Sequence, residues 1–565
     1  MSITGREIIT LQIGHYSNYV GAHWWNLQEA AFSNNTENPS EINNDVLFRE
    51  GQTRRCEVTF TPRLVLSDLQ GSLGALTEDG GLYEDHLQPD PSLALWPRDK
   101  VQVEVAEEPL EKNEFLSDLD AGCSRVELVR NSDDLKREKA IPKRYKLDDS
   151  VNVWSDYLRT FYHPRSLAIT NKYKHNDEIT PFKLFGQGTA LWKNEHYQED
   201  FTDRIRAYME EADNAQGFQV LMDAHDAFSG MSCSALQYLK DEYPSKASLA
   251  VVCMPAWFGE SSTQDDSARV LNWALTLGSL PELCSLFTPV STVESGWRYP
   301  NTYRTFPYLN YNSQLHYHSS AIVAAGLETA SLLYRVRSTR SASLQDVTSD
   351  LRVLGRAAAA LSLRLPLAIG RHSSLLETLE KWVEPASLFT SLTPHCSLDS
   401  RVDLQAVVIR GVGKDRLMGK LPDGADPSNP AYQCRTVEEM LSLFISFSNQ
   451  DHSVRTRVTS CADPLGTSDP FPHIFNEQLI APDGYLKEYV DENSHTGVQK
   501  SAALAGLHST DSLGEMLQSL HKETKRIKVS RLPGFFESGL ESLECEEKLE
   551  QLLCLSECYG HSYDQ

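Results

Sequence analysis

Residues 217–244 read GFQVLMDAHDAFSGMSCSALQYLKDEYP, and this segment is the clearest guide to the architecture of the chain. The apolar run GFQVLMDA predicts a buried strand, and the residues from Ser229 and Gly230 onward predict a helix that Pro244 ends. A strand, a turn and a helix in this order usually hold a phosphate, which needs glycines because a Cβ keeps backbone N–H groups from closing on the phosphate oxygens. Here the turn is instead Ala-His-Asp-Ala-Phe, 224–228. The segment therefore predicts a nucleotide-binding fold that has lost its nucleotide.

The same alternation of strands and helices extends in both directions from this segment. Strands are predicted at IITLQI (8–13), FTPRLVLSDLQG (60–71), GFQVLMDA (217–224), ASLAVVCMP (247–255) and RVDLQAVVIRG (401–411). Helices are predicted at 18–30, after a glycine turn within 186–212, at 229–243, around 268–280, across an Ala- and Leu-rich segment at 343–364, and over an acidic end at 511–558. Such alternation indicates an α/β fold with a mostly parallel sheet that helices cover on both faces.

We predict three regions along the chain. Residues 1–290 form a parallel-sheet domain of nucleotide type, 291–440 an intermediate α/β domain, and 441–565 a C-terminal region of loops and helices. The stretch at about 80–150 is polar, acidic and mixed in charge, so we interpret it as an insertion in the first domain that is partly ordered at most. Loops rich in Pro, Gly, Asp and Ser are predicted at about 412–432 and 450–500.

The composition of the chain argues against several functions. Its 565 residues are enough for a large core, and its net charge of −25 opposes binding to nucleic acid, which requires a basic face. The 11 cysteines lack the spacing of a disulfide framework, as expected in a reducing compartment. The N-terminus resembles no targeting signal, and no window approaches the roughly 18–20 apolar residues of a membrane-spanning helix. Any association with a membrane is therefore expected to be peripheral.

Five motifs resemble those of the tubulin superfamily and occur in the same order. They are REIITLQIGHYSNYVGAHWW (6–25), FTPRLVLSDLQG (60–71), GQGTALWKNEHYQED (186–200), GFQ, SGM and DEYP within 217–244, and VLNWALTLGSL (270–280). The double tryptophan Trp24-Trp25, the long insertion and FYHPR (161–165) are similar to the Misato family, a divergent tubulin-like branch. The resemblance implies a tubulin/FtsZ-like α/β fold, in which a parallel-sheet nucleotide-type domain is followed by a smaller mixed α/β domain and C-terminal helices.

The resemblance also implies a nucleotide pocket, of which only part is retained. The retained positions are Gly14, Gly186, Gly188, Ser229, Gly230 and Asn272. Asn272 matches an asparagine that contacts guanine in tubulin, although an asparagine that lies on the surface or caps a helix would fit as well. The motif GQGT would by itself also fit an ordinary tight turn.

Other positions of the pocket oppose a nucleotide. In the first loop the family's Gln, Cys, Gly and Gln are replaced by His15, Tyr16, Ser17 and Tyr19. The two tyrosines would either fill the nucleotide volume or turn inward and pack. Gln70 replaces a glutamate that helps to hold magnesium, and hard cations prefer anionic oxygens. Asp226 would either repel a triphosphate, by about 4 kcal/mol per charge pair at about 4 Å, or cap the helix in its place. We predict a vestigial pocket with no cofactor, GTP included, and no metal site.

The resemblance implies a role in mitochondrial distribution, morphology and fusion, in the cytoplasm and peripherally at the mitochondrial outer membrane. Because Val353 stands where tubulin polymers supply an acidic residue for hydrolysis, and valine cannot orient water, we expect a pseudo-GTPase and no enzyme. It would act as a scaffold or adaptor for protein partners at the mitochondrial surface, with cytosolic chaperonin and tubulin as further candidate partners. The alternatives are an active, GTP-binding, polymerising GTPase and a microtubule or cell-division partner protein.

Overall fold

The computed structural model describes residues 6–32, 40–52, 58–78, 80, 82, 110–129, 143–256, 262–338, 341–381, 388–399, 402–418, 429–448, 454–491 and 496–560, with backbone only at 122–129 and 448. The strands are β1 (Ile8–Ile13), β2 (Phe48–Gln52), β3 (Val58–Pro62), β4 (Leu64–Gln70), β5 (Leu167–Lys174), β6 (Gly217–Asp223), β7 (Ala247–Cys253), β8 (Leu286–Val290), β9 (Val293–Ser295), β10 (Thr302–Tyr303), β11 (Ala360–Arg364), β12 (Thr390–Ser391), β13 (Val402–Arg410), β14 (Arg455–Cys461), β15 (Leu465–Gly466), β16 (Lys500–Ser501) and β17 (Ala503–Thr510). The helices are α1 (His15–Ala30), α2 (Glu114–Val129), α3 (Phe185–Trp192), α4 (Glu195–Glu211), α5 (Phe228–Glu242), α6 (Thr263–Leu283), α7 (His316–Arg335), α8 (Leu344–Leu351), α9 (Leu375–Glu380), α10 (Pro430–Gln433), α11 (Val437–Ser448), α12 (Asp511–Lys525), α13 (Pro533–Glu537) and α14 (Ser542–Gly560).

A parallel sheet of six strands, ordered β5-β4-β1-β6-β7-β8, forms the first layer. Every residue of β1, β6 and β7 is buried, because helices cover both faces of the sheet. In the centre of the sheet Leu11 pairs with Val65 on one side and with Val220 on the other. The predicted α/β fold with a parallel sheet is confirmed, and the carboxyl ends of its central strands lie along one edge.

A second sheet has the order β12-β11-β17-β13-β14, in which only the β13–β14 pair is parallel. Its strands β14 and β17 come from the part of the chain after residue 441. Helix α7 contacts α1 on one side and β13 and β17 on the other. This buried helix therefore joins the two sheets through one continuous core.

Four local predictions were wrong. The segment 343–364 is not one helix: α8 ends at Leu351, and Ala360–Arg364 pairs with β17, since burial between two strands outweighs the helix propensity of Ala and Leu. Gly186 and Gly188 lie inside α3 and make no turn. The predicted loop at 450–500 contains the strand β14. Helix α1 begins at His15, three residues before the predicted start.

Two further sequence expectations meet the structure only in part. Much of the predicted insertion at about 80–150 lies outside the described residues. Within the described stretch 110–129, residues Glu114–Val129 form α2. None of the helices in the described part of the chain has the length and apolar character that crossing a bilayer requires. The boundaries near residues 290 and 440 stay a prediction.

Candidate functional site

The candidate site lies at the edge of the parallel sheet where β1, β4 and β6 end and where α1 and α5 begin. Ligands of open α/β sheets bind outside the carboxyl ends of the strands, because the N-termini of the following helices present free N–H groups there. Gly14 joins β1 to α1, and the residues 224–227 join β6 to α5. Most of the positions named from the sequence lie at this edge or on helices next to it.

Asp223, the last residue of β6, occupies the N-terminus of α1. Its carboxylate is fully buried and accepts hydrogen bonds from the backbone N–H groups of Tyr16 and Ser17, both at 2.8 Å. Gly14 has φ 126°, and a Cβ there would lie 2.5 Å from the same carboxylate. The amides that a helix end offers to an anion are therefore already bound by a side chain of the protein. Sequence reasoning missed Asp223, although an acidic residue that ends a buried strand was the available signal.

Asp226 sits at the N-terminus of α5. Its side chain accepts a hydrogen bond of 3.0 Å from the N–H of Phe228, and its carbonyl oxygen accepts one from the N–H of Ser229. Of the two geometries considered from the sequence, the structure therefore has the one in which Asp226 binds the helix end. Burial raises the pKa of Asp226 to about 7, and burial together with the neighbouring Asp226 raises the pKa of Asp223 well above its usual value. The two acids thus lie together at this edge, Asp223 fully buried and Asp226 with its side chain 18% exposed.

Asp68, near the end of β4, is a third buried carboxylate at this edge. It accepts hydrogen bonds of 2.9 Å from the Asn18 amide and from the Trp154 indole, and it lies 3.2 Å from Nδ1 of His15. Burial acts to raise the pKa of Asp68, but the neighbouring His15 and the hydrogen bonds lower it below its usual value. Asp68 therefore stays ionised and anchors α1 to the segment that contains Trp154.

The space between the beginnings of α1 and α7 contains aromatic side chains. Tyr16 and Tyr19 are buried, and their hydroxyl groups donate to Ser319 Oγ at 3.1 Å and to the Asn152 carbonyl at 2.8 Å. The His316 ring lies 5.2 Å from the Tyr16 ring and 5.8 Å from the Tyr19 ring. Both tyrosines thus turn inward and pack, which was one of the two alternatives for them.

The glycines carried over from the resemblance serve helix packing. A Cβ on Gly188 would lie 1.8 Å from the Ala227 carbonyl oxygen, and one on Gly230 would lie 2.0 Å from the Phe185 carbonyl oxygen. A Cβ on Gly186 would likewise collide with Ser538 before α14. Helices α3 and α5 therefore approach each other closely at Gly188 and Gly230, whereas Gly186 faces the segment between α13 and α14. The interpretation of GQGT as a tight turn is wrong.

Asn272, on α6, links this helix to two other segments through side-chain hydrogen bonds. Its side chain is fully buried, accepts from the N–H of Phe185 at 3.0 Å, and donates to the carbonyls of Lys183 and His225 at 2.8 and 2.9 Å. It thus connects α6 to the start of α3 and to the turn after β6. The side chain is buried and does not lie on the surface, which was one of the alternatives from the sequence, and the guanine contact stays a prediction. Ser229 is also buried, and its hydroxyl donates to the Asp226 carbonyl.

The position expected to supply a catalytic acid lies apart from the strand ends. Val353 lies just after α8, and its side chain is apolar. The nearby Asp350 binds Arg457 Nε at 3.0 Å and Arg455 at 3.2 Å, so that its carboxylate holds α8 against β14.

The order of the strands, the helix between the two sheets and this edge define a tubulin-like protein. Residues 144–336 match the family model of a tubulin domain, and residues 6–121 match that of the Misato Segment II tubulin-like domain. Relatives include Protein misato homolog 1 of Homo sapiens, 33% identical over 98% of each chain, and Protein misato of Drosophila melanogaster, 33% identical over 99% of each chain. Protein dml1 of Aspergillus oryzae is 32% identical over 59% of this chain and 61% of its own. The chain belongs to the Misato family.

Proposed function

We propose that this protein is a non-catalytic, tubulin-like regulator of mitochondrial distribution, morphology and fusion that acts as a scaffold or adaptor. The mitochondrial role is inferred from the resemblance to the family. The absence of catalysis is inferred from one observation, the Asp223 carboxylate on the Tyr16 and Ser17 amides in the first turn of α1. A phosphate needs those same amides.

Electrostatics supports this proposal. A nucleotide phosphate near α1 would lie beside Asp223 and Asp226, whose pKa values are raised. Whichever of the two carboxyl groups is ionised would repel it by about 4 kcal/mol per charge pair at about 4 Å and an effective dielectric constant of about 20. A micromolar affinity corresponds to only about −8 kcal/mol. We therefore expect neither GTP binding nor GTP hydrolysis.

Nucleotide extraction from the purified full-length protein tests this expectation. Denaturation followed by ion-exchange chromatography should release no stoichiometric GTP or GDP, and hydrolysis of added GTP should not exceed that of a blank preparation. An equimolar nucleotide peak would contradict the proposal. Asp223→Ala removes the internal carboxylate and should, if anything, raise the affinity for GTP. Asp203→Ala, which changes an exposed aspartate on α4, is the control and should leave GTP binding unchanged.

The working location that we propose is the cytoplasm and the outer face of mitochondria, where protein partners would bind. Protease added to intact mitochondria should then degrade the protein, and protection would contradict an outer location. Cytosolic chaperonin and tubulin are candidate partners, since slow-folding sheets with long-range pairings expose their edges. Co-sedimentation with microtubules would favour the alternative role of a cell-division partner.

A further inference from the structure

We propose that Asp223, His225 and Asp226 form a binding site for a divalent transition-metal ion such as Zn²⁺ or Mn²⁺. The site goes beyond the proposed function, because it requires no nucleotide and no partner. Asp223 ends β6, and His225 and Asp226 lie in the turn before α5, so that a strand and a helix hold the three residues in place.

The spacing of the side chains fits a metal. One ligand atom from each of the three residues lies within 4.8 Å of the other two. His225 Nε2 lies 3.6 Å from Asp226 Oδ2. Ligands bound at about 2.0–2.2 Å to tetrahedral zinc are separated by roughly 3.4 Å. Side-chain rotations that move each ligand atom by less than about an ångström would thus bring the three atoms into coordination distance of one ion.

The polar groups of the cluster have unused capacity. His225 Nδ1 is buried, and no hydrogen-bond partner exists for it among the described residues. Each Asp223 oxygen accepts one backbone N–H, which leaves a second lone pair on each oxygen. Within the described part of the chain, neither Asp223 nor Asp226 forms an ion pair with Lys or Arg, and the nearby Arg269 binds Asp266. The two carboxylates therefore lack a cationic partner among the described residues, and a cation held between them and one ring nitrogen of His225 would supply it.

The donor set indicates which ion would bind. One imidazole and two carboxylates favour zinc or manganese over calcium or magnesium, which prefer oxygen ligands alone. The side chains of His225 and Asp226 are 17% and 18% exposed, so that water reaches the cluster and can complete the coordination. Cys554 and Cys558 lie on α14 and are not part of this group.

Calorimetric titration of the chelator-treated, full-length protein with ZnCl₂ and with MnCl₂, in the absence of nucleotide, tests the site. We expect saturable binding of one ion per chain. His225→Gln and Asp226→Asn should each raise the Kd by about 10- to 100-fold or more, since even the hydrogen-bond partners of metal ligands contribute that much. Asp226→Asn keeps an oxygen acceptor for the Phe228 N–H, so the helix end stays capped. His473→Gln changes another His–Asp pair, 2.9 Å apart, and should leave the Kd unchanged.

The absorption spectrum of the Co²⁺-loaded protein separates this site from thiol sites. Nitrogen and oxygen ligands give visible d–d bands without a thiolate-to-cobalt charge-transfer band. The proposal is overturned if the wild-type protein binds no ion, if both His225→Gln and Asp226→Asn bind as tightly as wild type, or if a thiolate band accompanies the bound ion. Failure of the nucleotide experiment would not affect any of these outcomes.

Discussion

Single buried polar residues determine the chemistry of the strand ends. Asp223 and Asn272 are 0% exposed. Asp223 binds two backbone amides of α1, and Asn272 binds backbone groups at the start of α3 and in the turn after β6. At the scale of the residue, the hydrogen-bonding capacity of these groups is thus used within the protein.

Buried histidines make stability depend on pH. The His508 ring bonds Ser362 Oγ at 2.7 Å and Gln405 Oε1 at 3.1 Å, and burial lowers its pKa to about 3. The unfolded value is about 6.5, so between these values the unfolded chain binds a proton that the folded chain does not, and stability falls as the pH falls through this range. We predict that His508→Gln lowers the slope of unfolding free energy against pH by about 1.4 kcal/mol per unit between pH 4 and 6. Urea denaturation across this range measures it, and an unchanged slope would contradict the assignment.

At the scale of elements, the pair α3 and α5 depends on glycine. The close contacts of Gly188 and Gly230 with backbone carbonyl oxygens leave no room for a side chain. The carbonyl belongs to the backbone and cannot move aside as a flexible side chain would. The same crossing positions Asp226 and Ser229 at the start of α5, so that helix packing and site geometry are linked.

We predict that Gly188→Ala destabilises the protein by about 2–3 kcal/mol, as expected for overpacking against rigid backbone. Gly560→Ala is the matched control, because a Cβ at the end of α14 meets no atom within 4 Å; its effect should stay within about 0.5 kcal/mol. Thermal and urea unfolding of the three proteins provides the comparison. Equal stability of Gly188→Ala and wild type would mean that the helices separate at low cost.

At the scale of the whole molecule, a buried charge network connects the two sheets. Glu328 on α7 accepts from the Trp24 indole at 3.0 Å and from Arg335 at 2.6 Å, and it lies 3.5 Å from Arg410 on β13. The charged side chains are 0–1% exposed. Breaking such a network leaves uncompensated charges in the core, which costs far more than the network contributes when it is complete.

We predict that Glu328→Gln destabilises the protein by about 3–5 kcal/mol, because two buried arginines lose their counter-charge. Asp483→Asn disrupts the exposed pair with Arg371 and should cost less than about 1 kcal/mol. Unfolding free energies from urea denaturation give both values. Similar small losses in both variants would show that the network does not hold the two sheets together.

The sequence by itself determined the α/β class, the main strands and helices of the parallel sheet and the family, because apolar runs, turn residues and ordered motifs are local properties. It also placed Gly14, Asp226 and Asn272 near one edge. Only the tertiary structure decided that Asp223 binds the amides of α1, that Asn272 ties three segments, and that Ala360–Arg364 is a strand beside β17. Each of these features depends on contacts between residues that are about 90 to 200 positions apart in the sequence. No local pattern specifies which distant group will satisfy a buried polar atom.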